Sequence, residues 1–535
     1  MAVNGTSRTA QGETSVSNGR TKRAVIIGGG TGGCAFAGHL VRLSGAEVTL
    51  LEAGPDYGPF DEFRWPTELL DTRRMPTTSH DWGLRNEDTV RNRTYALERA
   101  RVIGGCSSHN GCSAVRGTWP DYARWAKITG GDWALDGLES DFEQIEHLFS
   151  VRTYGIEEVT PFQRQVCSAA VNYGLPVSSD INNLDEDEGV SVCPVNKRGG
   201  FRWNAAFAFL DPVRSRPNFR IVDGVEIDSL VLAGKRVAAA KGRRSGAAFE
   251  IEADVFVVAC GAYGSPLLLQ RSGIGPPKAL GLAGIDVLVD SPGVGRNLQD
   301  HPSVILRYIA SQELISQMKI YEARNIPFEE GIIIKKRSSL ATDVFDLHIF
   351  SSGGHALGNP EEWYWELYVG LLLPKSRGAI VVAPGSKGSG FRISHNHFSD
   401  EQKTDIQAVL DGVRHARGIA ATSPLKESLV AEKEPGSMVA SDEEIRNWIQ
   451  RSHTHYWHPA GTCRMGPHRA DGDVCNGGGQ VHGLENLFVA DASLMPVITG
   501  CNTNIPTALI GWRMARIVRD FLDDRYPVNT GKNRT

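Results

Sequence analysis

The chain has 535 residues, of which 41% are hydrophobic and 22% are charged; these proportions indicate a large globular protein. Its formal net charge of −5 gives no reason to expect nucleic acid or an anionic membrane as a partner, and no apolar run in the sequence could span a bilayer. The nine cysteines are scattered without a C-x-x-C pair, and their odd number argues against a disulfide framework. The polar residues 1–22 lack the apolar centre of a secretory signal and are predicted to form a disordered tail, so we expect a cytoplasmic location.

The first folded stretch, residues 23–55, predicts a dinucleotide-binding unit. It contains an apolar run at 24–27, the glycines Gly28, Gly30 and Gly33 with Thr31 among them, a helical pattern at 34–43, and an apolar run at 47–51 that ends at Glu52. This glycine spacing permits a tight turn, the approach of a diphosphate to the backbone and close packing of helix on strand. The carboxylate stands at the distance expected of a ribose ligand. A glycine-rich turn in another α/β unit is the alternative, but strand, helix, strand and carboxylate together favour a Rossmann unit that binds ADP.

The rest of the chain alternates between segments typical of an α/β unit and segments typical of an antiparallel sheet. Strands are predicted at 254–260, 285–290 and 486–490, a small sheet at 219–225, 229–233 and 236–241, and an antiparallel sheet that includes 331–334, 344–349 and 366–372. Helices are predicted at 121–125, 141–148, 162–173, 406–421 and 441–451, and from about Pro266 and Pro506. The dinucleotide-binding half is therefore interrupted by the antiparallel part and completed by the C-terminal segment.

Several separated stretches resemble the glucose–methanol–choline (GMC) flavoprotein oxidoreductases. They are GGGTGG to LEAG at 28–54, RVIGGCSSHNG at 101–111, GAYGSPLLLQRSGIGP at 261–276, HPAGTCRMG at 458–466 and LFVADASLMP at 487–496. They occur in the family order and span nearly all of the folded chain. The resemblance implies an α/β GMC fold with a Rossmann-type FAD-binding domain and a substrate domain built on an antiparallel sheet with helices. It divides the chain into an FAD-binding domain at 23–155, 219–302 and 453–527 and a substrate domain at 156–218 and 303–452.

The resemblance also implies which residues hold FAD. Gly28, Gly30, Thr31, Gly33 and Glu52 would bind its ADP part; Gly104, Gly105, Ser107, His109 and Asn110 would run along the flavin; Val225 would meet the adenine; Asp491 and Ala492 would lie near the pyrophosphate and ribityl chain. The string CSSHN at 106–110 is most similar to the choline oxidase-like members, in which the histidine is bonded covalently to the flavin. His109 therefore predicts either a histidyl-FAD link or a noncovalent contact beside the flavin.

Oxidation of an alcohol requires a base within hydrogen-bond reach of the hydroxyl group. His458, in YWHPAGT, matches the family's catalytic histidine and is the predicted base. Asn504 matches a second family position that is either His or Asn, where it would hydrogen-bond the substrate oxygen without titrating. Asn502 is a nearby competitor, and either asparagine could instead cap the helix that follows.

A metal site is the alternative interpretation of the histidines around position 458. His453, His455 and His458 lack an accompanying carboxylate or cysteine pattern, so no metal is expected.

The substrate is predicted only by class. Trp457, Ser303, Phe350 and Trp365 are the predicted substrate contacts. Ser303 stands where choline-oxidising members carry a glutamate, so a neutral sugar, aryl or small primary or secondary alcohol is expected, with oxygen or another electron acceptor. The alternative function is a hydroxynitrile lyase-like reaction on the same scaffold with structural FAD. The sequence leaves the oligomeric state open.

Overall fold

A computed structural model describes residues 20–525 apart from 74, 77, 89, 90, 92, 186, 328, 329, 343, 357 and 358. Residues 1–19 of the predicted tail, and residues 526 and 527 of the predicted FAD-binding domain, lie outside the described residues. In the described part of the chain no helix is both long enough and apolar enough to cross a membrane.

The strands are numbered in chain order. They are β1 Arg23–Ile27, β2 Glu47–Leu51, β3 Leu84–Asp88, β4 Arg93–Leu97, β5 Val151–Arg152, β6 Gly189–Val192, β7 Val195–Arg198, β8 Phe201–Arg202, β9 Phe219–Val222, β10 Val225–Ala233, β11 Arg236–Arg244, β12 Ala247–Glu252, β13 Val255–Val258, β14 Ile274–Gly275, β15 Val289–Asp290, β16 Pro302–Ala310, β17 Ile332–Lys336, β18 Leu347–Ala356, β19 Asn359–Leu371, β20 Ala379–Val382, β21 Phe391–Ser394, β22 Leu429–Glu434, β23 Thr454–His455 and β24 Leu487–Val489.

The α-helices are numbered in the same way. They are α1 Thr31–Leu43, α2 Thr67–Leu70, α3 Trp119–Ile128, α4 Leu138–Leu148, α5 Pro161–Asn172, α6 Gly261–Arg271, α7 Pro277–Ala283, α8 Gln312–Glu322, α9 Thr404–Ala420, α10 Leu425–Ser428, α11 Asp442–Ser452 and α12 Asn504–Leu522.

A five-stranded parallel sheet, in the order β24-β13-β1-β2-β9, carries the dinucleotide-binding motif. Its strands are short apolar runs because they are covered on both faces. β24 comes from the C-terminal segment, so the sheet is completed late in the chain, as the sequence predicts. Residues 219–222 were expected in a small separate sheet; instead they form the edge strand β9 beside β2, and the small antiparallel sheet contains only β10, β11 and β12.

The predicted antiparallel sheet is present, in the order β22-β16-β19-β18-β17-β6, with β23 also paired to β16. One of its faces packs on a hydrophobic core that includes residues of α5, α9 and α11. α11 begins with a capping box, in which the Glu444 backbone N–H donates to Ser441 Oγ at 3.3 Å and the Ser441 N–H donates to Glu444 Oε2 at 2.9 Å. The α/β fold class predicted from the sequence is confirmed.

Two helices begin earlier than the sequence predicts. α6 starts at Gly261, and Pro266 lies inside it. Proline lacks the N–H that would bond the carbonyl four residues earlier, and that carbonyl, of Ala262, accepts instead from Thr462 Oγ1 at 2.6 Å. α12 likewise starts at Asn504, and the predicted strand at 285–290 is reduced to β15.

Candidate active site

A cavity of about 470 Å³ extends from the glycine turn after β1 to aromatic residues on the antiparallel sheet. Of the predicted site residues, it is lined by Gly28, Gly30, Thr31, Glu52, Gly105, His109, Asn110, Val225, Phe350, Trp457, His458, Asp491, Ala492 and Asn504. Residues from widely separated parts of the chain therefore meet around one space.

The glycine turn leaves backbone open to this cavity. Gly28 has φ +105°, and a Cβ there would lie 2.4 Å from the Ala259 carbonyl oxygen. A Cβ on Gly105, at φ +54°, would lie 2.6 Å from the Cα of Gly30, whereas a Cβ on Gly30 would meet nothing closer than 3.9 Å. The N-terminus of α1 has no side-chain cap and no acidic residue in its first turn. Gly28 and Gly105 therefore allow close packing of the backbone, while the open space at Gly30 and the uncapped N–H groups of α1 form a cradle that fits a diphosphate.

Gly33, Gly104 and Ser107 do not line the cavity but shape its wall. A Cβ on Gly33 would lie 2.0 Å from the Gly28 carbonyl oxygen, so only glycine allows the helix to pack this closely on the turn. Ser107 Oγ donates to the Gly104 carbonyl at 2.6 Å and accepts from the Ala205 N–H at 2.9 Å. These residues hold the loop that faces the cavity.

Two buried carboxylates mark the ends of strands at the cavity. Glu52 accepts from the Gly29 N–H at 2.8 Å and from the Gly54 N–H at 2.7 Å, and burial raises its pKa against the effect of these bonds. Asp491 Oδ2 accepts from Ser265 Oγ at 2.5 Å and from the Gly261 N–H at 2.8 Å. Because backbone and hydroxyl donors hold both carboxylates, they order the loops in which they lie.

His458 lies against a second histidine that sequence reasoning missed. Its Nδ1 is 2.9 Å from Nδ1 of His301, and Nε2 of His301 is 3.1 Å from the Thr499 carbonyl oxygen. A carbonyl only accepts, so neutral His301 carries its proton on Nε2 and accepts at Nδ1. His458 therefore donates from Nδ1, and its Nε2 is left with the lone pair. The backbone N–H of His458 also donates to Asp300 Oδ1 at 3.0 Å.

Both histidines of this pair are held neutral. Burial, followed by the neighbouring His301 and His348, lowers the pKa of His458 well below its ordinary value. Burial lowers the pKa of His301 to about 3. An unprotonated imidazole on the cavity wall can accept a proton from a bound hydroxyl group.

The two candidate asparagines have different partners, and the structure assigns neither as a helix cap. Asn504 Oδ1 accepts from Thr31 Oγ1 at 2.8 Å, and its buried Nδ2 has no hydrogen-bond partner among the described residues. Asn502 Nδ2 donates to Glu330 Oε2 at 3.3 Å. The N-cap residue of α12 is Thr503, without a side-chain cap bond.

His109 lines the cavity beside the loop at 104–110. Its Nε2 donates to the Ser79 carbonyl oxygen at 3.0 Å in the neutral form, which leaves the lone pair on Nδ1. Burial lowers the pKa of His109 to about 4, so the neutral imidazole is its ordinary state.

An aromatic wall closes the side of the cavity that faces the antiparallel sheet. Phe350, Tyr456 and Trp457 line it, and the Phe350 ring stacks on Tyr368 with centroids 4.3 Å apart. Trp457 Nε1 donates to Glu98 Oε2 at 2.9 Å, which fixes the indole ring at the cavity edge.

Two predicted substrate contacts are not in the wall of the cavity. Trp365 belongs to the core on the other face of β19, where it packs edge-on against Phe162 at 5.2 Å. Ser303 is fully buried in β16 and donates from Oγ to the His455 carbonyl at 3.3 Å. Successive side chains of a strand alternate between faces, which directs Trp365 away from the site.

Sequence reasoning also missed polar residues of the cavity wall. Glu330, Ser113 and Arg99 line the cavity, and His301 supports it from behind. The only signal for His301 is its place in the QDHP string, and the strand and loops that bring Glu330 to Asn502 leave no local pattern. No group of three or more His, Cys, Asp or Glu side chains suited to a metal ion occurs among the residues that the structure describes.

Comparisons with known proteins identify the family of the chain. Residues 22–303 match the N-terminal and residues 374–511 the C-terminal model of the GMC oxidoreductase family. An oxygen-dependent choline dehydrogenase of Brucella anthropi is 31% identical, with 91% of this chain and 93% of the relative covered. A choline oxidase of Arthrobacter globiformis is 29% identical, with 92% and 94% covered.

The solved structure of pyridoxine 4-oxidase from Mesorbium loti is similar in fold and sequence. It superposes with a TM-score of 0.80 at 26% identity and covers 93% of this chain and 99% of that chain. The chain belongs to the GMC oxidoreductase family, and it is an FAD-dependent enzyme of the alcohol oxidase and dehydrogenase type.

Proposed function

We propose that the protein oxidises an alcohol to a carbonyl compound with His458 as the base that takes the hydroxyl proton. The observation that carries this proposal is the hydrogen bond between Nδ1 of His458 and Nδ1 of His301, 2.9 Å long. It selects the tautomer in which His458 Nε2 can accept a proton. His458 also lines the cavity, where a bound alcohol could reach it.

The proton would remain on His458 after transfer. His301 accepts the Nδ1–H of His458 while its own Nε2–H is held by the Thr499 carbonyl. His301 would thus stabilise the imidazolium of His458 by accepting its Nδ1–H. No carboxylate forms an ion pair with His458 in the described part of the chain, so the charge would be stabilised by this neutral partner.

Asn504 is the proposed second contact to the substrate oxygen. Its Oδ1 is occupied by Thr31 Oγ1, and its buried Nδ2 lacks a partner among the described residues. A buried amide donor without an acceptor is costly, and a substrate oxygen would supply the acceptor. The alkoxide that develops during oxidation would strengthen this bond.

The donor set and the open cradle fit FAD, which when bound accepts the hydride from the alcohol carbon. We propose that Gly28, Gly30, Thr31 and Glu52 hold its ADP part, with Gly33 packing behind them and Val225 at the adenine. Gly104, Gly105, Ser107, His109 and Asn110 would form the wall along the flavin, and Asp491 and Ala492 the wall along the pyrophosphate and ribityl chain. What supports this is that most of these residues line the cavity and the others hold its wall.

We also propose that His109 binds FAD covalently: a C–N bond to the imidazole would replace a C–H bond of the flavin, two protons would be released, and the two electrons would pass to oxygen, the proposed acceptor. Its Nε2–H is engaged by the Ser79 carbonyl, so Nδ1 carries the lone pair and is the nitrogen available for a bond. A noncovalent contact is the alternative. Acid precipitation separates the covalent link from the noncovalent contact. A covalent flavin stays with the protein pellet of the wild-type enzyme, whereas the noncovalent flavin of a His109→Ala variant is released into the supernatant.

The electron acceptor is proposed to be oxygen. The relatives named above include an oxygen-dependent dehydrogenase and two oxidases, and none of these three is named as a lyase. The proposed division into an FAD-binding domain and a substrate domain assigns the parallel sheet to the former and the antiparallel sheet, apart from Pro302 and β23, to the latter.

The test of the proposed function is anaerobic mixing of the flavin-loaded protein with sugars, aryl alcohols, small alcohols and amino alcohols. Loss of the visible flavin absorbance with one class would establish hydride transfer and identify the substrate group. A protein that binds FAD but is reduced by none of these alcohols would contradict the proposal, and cyanohydrin cleavage would then be measured.

A further inference from the structure

One part of the cavity wall holds a buried carboxyl group that the proposed chemistry does not use. Glu330, Ser113 and Asn502 line the cavity together, with 7%, 5% and 7% of their surface exposed. Ser113 Oγ donates to Glu330 Oε2, and Asn502 Nδ2 donates to both Glu330 oxygens at 3.3 and 3.5 Å. The three residues form a cluster that is built from separate parts of the chain.

This cluster has more acceptors than donors. The two oxygens of Glu330 receive hydrogen bonds from neutral groups, and in the described residues no lysine, arginine or histidine lies within ion-pair distance of them. Oδ1 of Asn502 is buried and has no hydrogen-bond partner there. A buried carboxylate without a cation and a buried carbonyl oxygen without a donor are both costly, so the site is short of one positively charged donor.

The surroundings of Glu330 agree with a missing cation. Burial raises the pKa of Glu330 to about 7, against the smaller effects of Ser113 and Asn502. A cation with N–H groups next to the carboxyl would favour the charged form and would also supply the donor that Asn502 Oδ1 lacks.

The packing of the aromatic wall indicates which kind of cation fits the cavity. Phe350 stacks on Tyr368 with an interplanar angle of 15°, and on Tyr456 with an angle of 28°. These rings pack face to face with one another, whereas a quaternary ammonium group is recognised by aromatic faces that surround it. The Glu330 carboxylate and Asn502 Oδ1, by contrast, accept hydrogen bonds and therefore require a cation with N–H groups.

We propose that Glu330 and Asn502 bind a protonated amine of the substrate, so that the substrate is an alcohol with an ammonium N–H. This inference rests on the proposed alcohol oxidation and names its substrate class. It differs from the expectation of a neutral alcohol, which depended on Ser303; the carboxyl group is at another position in the fold. Glu330 would set specificity, while His458 and Asn504 act on the hydroxyl group.

The experiment compares three alcohols of similar shape on the flavin-loaded enzyme near neutral pH. N,N-dimethylethanolamine carries a charged N–H, choline carries the charge without an N–H, and 3,3-dimethylbutan-1-ol has neither. Hydrogen bonds to charged groups typically change affinity by about 10- to 100-fold, so kcat/KM for the N–H cation should exceed the other two by about that factor. Equal values for N,N-dimethylethanolamine and its neutral analogue, or a preference for choline, would overturn the proposal.

The variant Glu330→Gln keeps the size of the side chain and removes its charge. It should reduce the preference for N,N-dimethylethanolamine over 3,3-dimethylbutan-1-ol by about 10- to 100-fold. The matched control is Glu188→Gln, which removes a carboxylate bound to Lys336 at 2.5 Å, away from the cavity, and should keep the wild-type preference. An unchanged preference in a Glu330→Gln enzyme that retains its flavin spectrum would contradict the role of Glu330.

A binding measurement separates this inference from the proposed reaction. Trimethylammonium has an N–H and tetramethylammonium has none, and neither contains an alcohol. Titration of the wild-type holoenzyme, followed by the flavin difference spectrum and by calorimetry, should give a dissociation constant about 10-fold or more lower for trimethylammonium. If no alcohol reduces the flavin but this difference is found, the site is confirmed and the proposed reaction is wrong; equal dissociation constants would show that the site does not select N–H cations.

Discussion

The Nδ1 atoms of His301 and His458 lie 2.9 Å apart, and the hydrogen bond between them can run in only one direction when both rings are neutral. His301 gives its Nε2–H to the Thr499 carbonyl, so its Nδ1 accepts. His458 then donates from Nδ1 and offers Nε2 as a base. The tautomer of His458 is therefore set by the Thr499 main-chain carbonyl, which is two hydrogen bonds away through His301.

Replacement of His301 should impair the base without removing it. In a His301→Ala variant, His458 loses the acceptor that fixes its tautomer and stabilises its imidazolium. We expect flavin reduction in anaerobic stopped-flow experiments to slow by about 10- to 100-fold, which is less than the typical effect of a general base itself. The control is His348→Gln, because His348 bonds Tyr456 rather than His458 and should affect the rate less. Equal effects of the two substitutions would contradict the tautomer argument.

The pH dependence of flavin reduction should reveal the neutral state of His458. Burial and the neighbouring histidines lower the pKa of His458 well below its ordinary value. The base must be unprotonated to act, so its activity should be kept as the pH falls below 6.5 and be lost only at lower pH. We expect His458→Ala to slow flavin reduction by about 10²- to 10⁴-fold, to keep FAD, and to lose this acidic limb. A wild-type rate that already falls at pH 7 with His458 as the responsible group would be inconsistent with this environment.

Substitution of Asn504 and substitution of Asn502 should change different kinetic parameters. Asn504→Ala removes the amide donor proposed to meet the substrate oxygen, so kcat should fall by about 10- to 100-fold. Asn502→Ala removes a partner of Glu330 and should mainly raise KM for an amine-bearing alcohol. Steady-state kinetics on one substrate measure both effects, and retained FAD absorbance shows that each variant is folded. A fall of kcat with Asn502→Ala and not with Asn504→Ala would exchange their proposed roles.

The strands around the cavity show how far the sequence could predict the site. Phe350 and Trp365 were both predicted to contact the substrate, yet only Phe350 lines the cavity. β18 and β19 pair with Phe350 opposite Tyr368, so these two side chains share the cavity face, and Trp365, three residues before Tyr368, lies on the other. Alternation along each strand is visible in the sequence, but the choice of face depends on the register between strands.

The motifs with local geometry were predicted best, and the contacts between distant segments were not. The turn at Gly28 and the end of β2 at Glu52 follow from the spacing of residues in one βαβ unit. His301 and Glu330 reach His458 and Asn502 through loops and sheet pairing, for which neither carries a local pattern. Buried polar partners of this kind are found only when the tertiary structure places them together.

Substitution of the two aromatic residues tests this difference of face. Trp365→Ala should lower the free energy of unfolding by about 3–5 kcal/mol, because it leaves a cavity in the core, and should change KM little. Phe350→Ala should raise KM for the substrate as well as reduce stability, since its ring lines the cavity. Denaturant unfolding and steady-state kinetics on both variants provide the measurement. A large KM change in a folded Trp365→Ala enzyme would show that the residue contacts substrate after all.

The pH dependence of the free energy of unfolding should reflect the ionisation of Glu330 when no amine is bound. Burial raises the pKa of Glu330 from 4.5 to about 7, so its ionisation is harder in the folded than in the unfolded chain. The contribution of protonated Glu330 to the free energy of unfolding is fully present below pH 4.5. It falls by about 3 kcal/mol at most as the pH rises to about 7. Glu330→Gln cannot ionise, and its stability relative to wild type should therefore increase over this range.

Glu188 provides a control of opposite sign. Burial alone would raise its pKa, but the hydrogen bonds from Lys336 and from the Arg337 N–H outweigh burial and lower it. The stabilisation by ionised Glu188 is present above the pKa of the unfolded chain and is lost as the pH falls. Glu188→Gln should thus be less stable than wild type at pH 8 and approach it under acidic conditions, while Glu330→Gln gains at pH 8. Urea unfolding of the holoenzymes from pH 8 down to below pH 4.5 measures both trends, that of Glu330 above pH 4.5 and that of Glu188 below it. Parallel trends would mean that Glu330 is not the uncompensated carboxyl group that its contacts indicate.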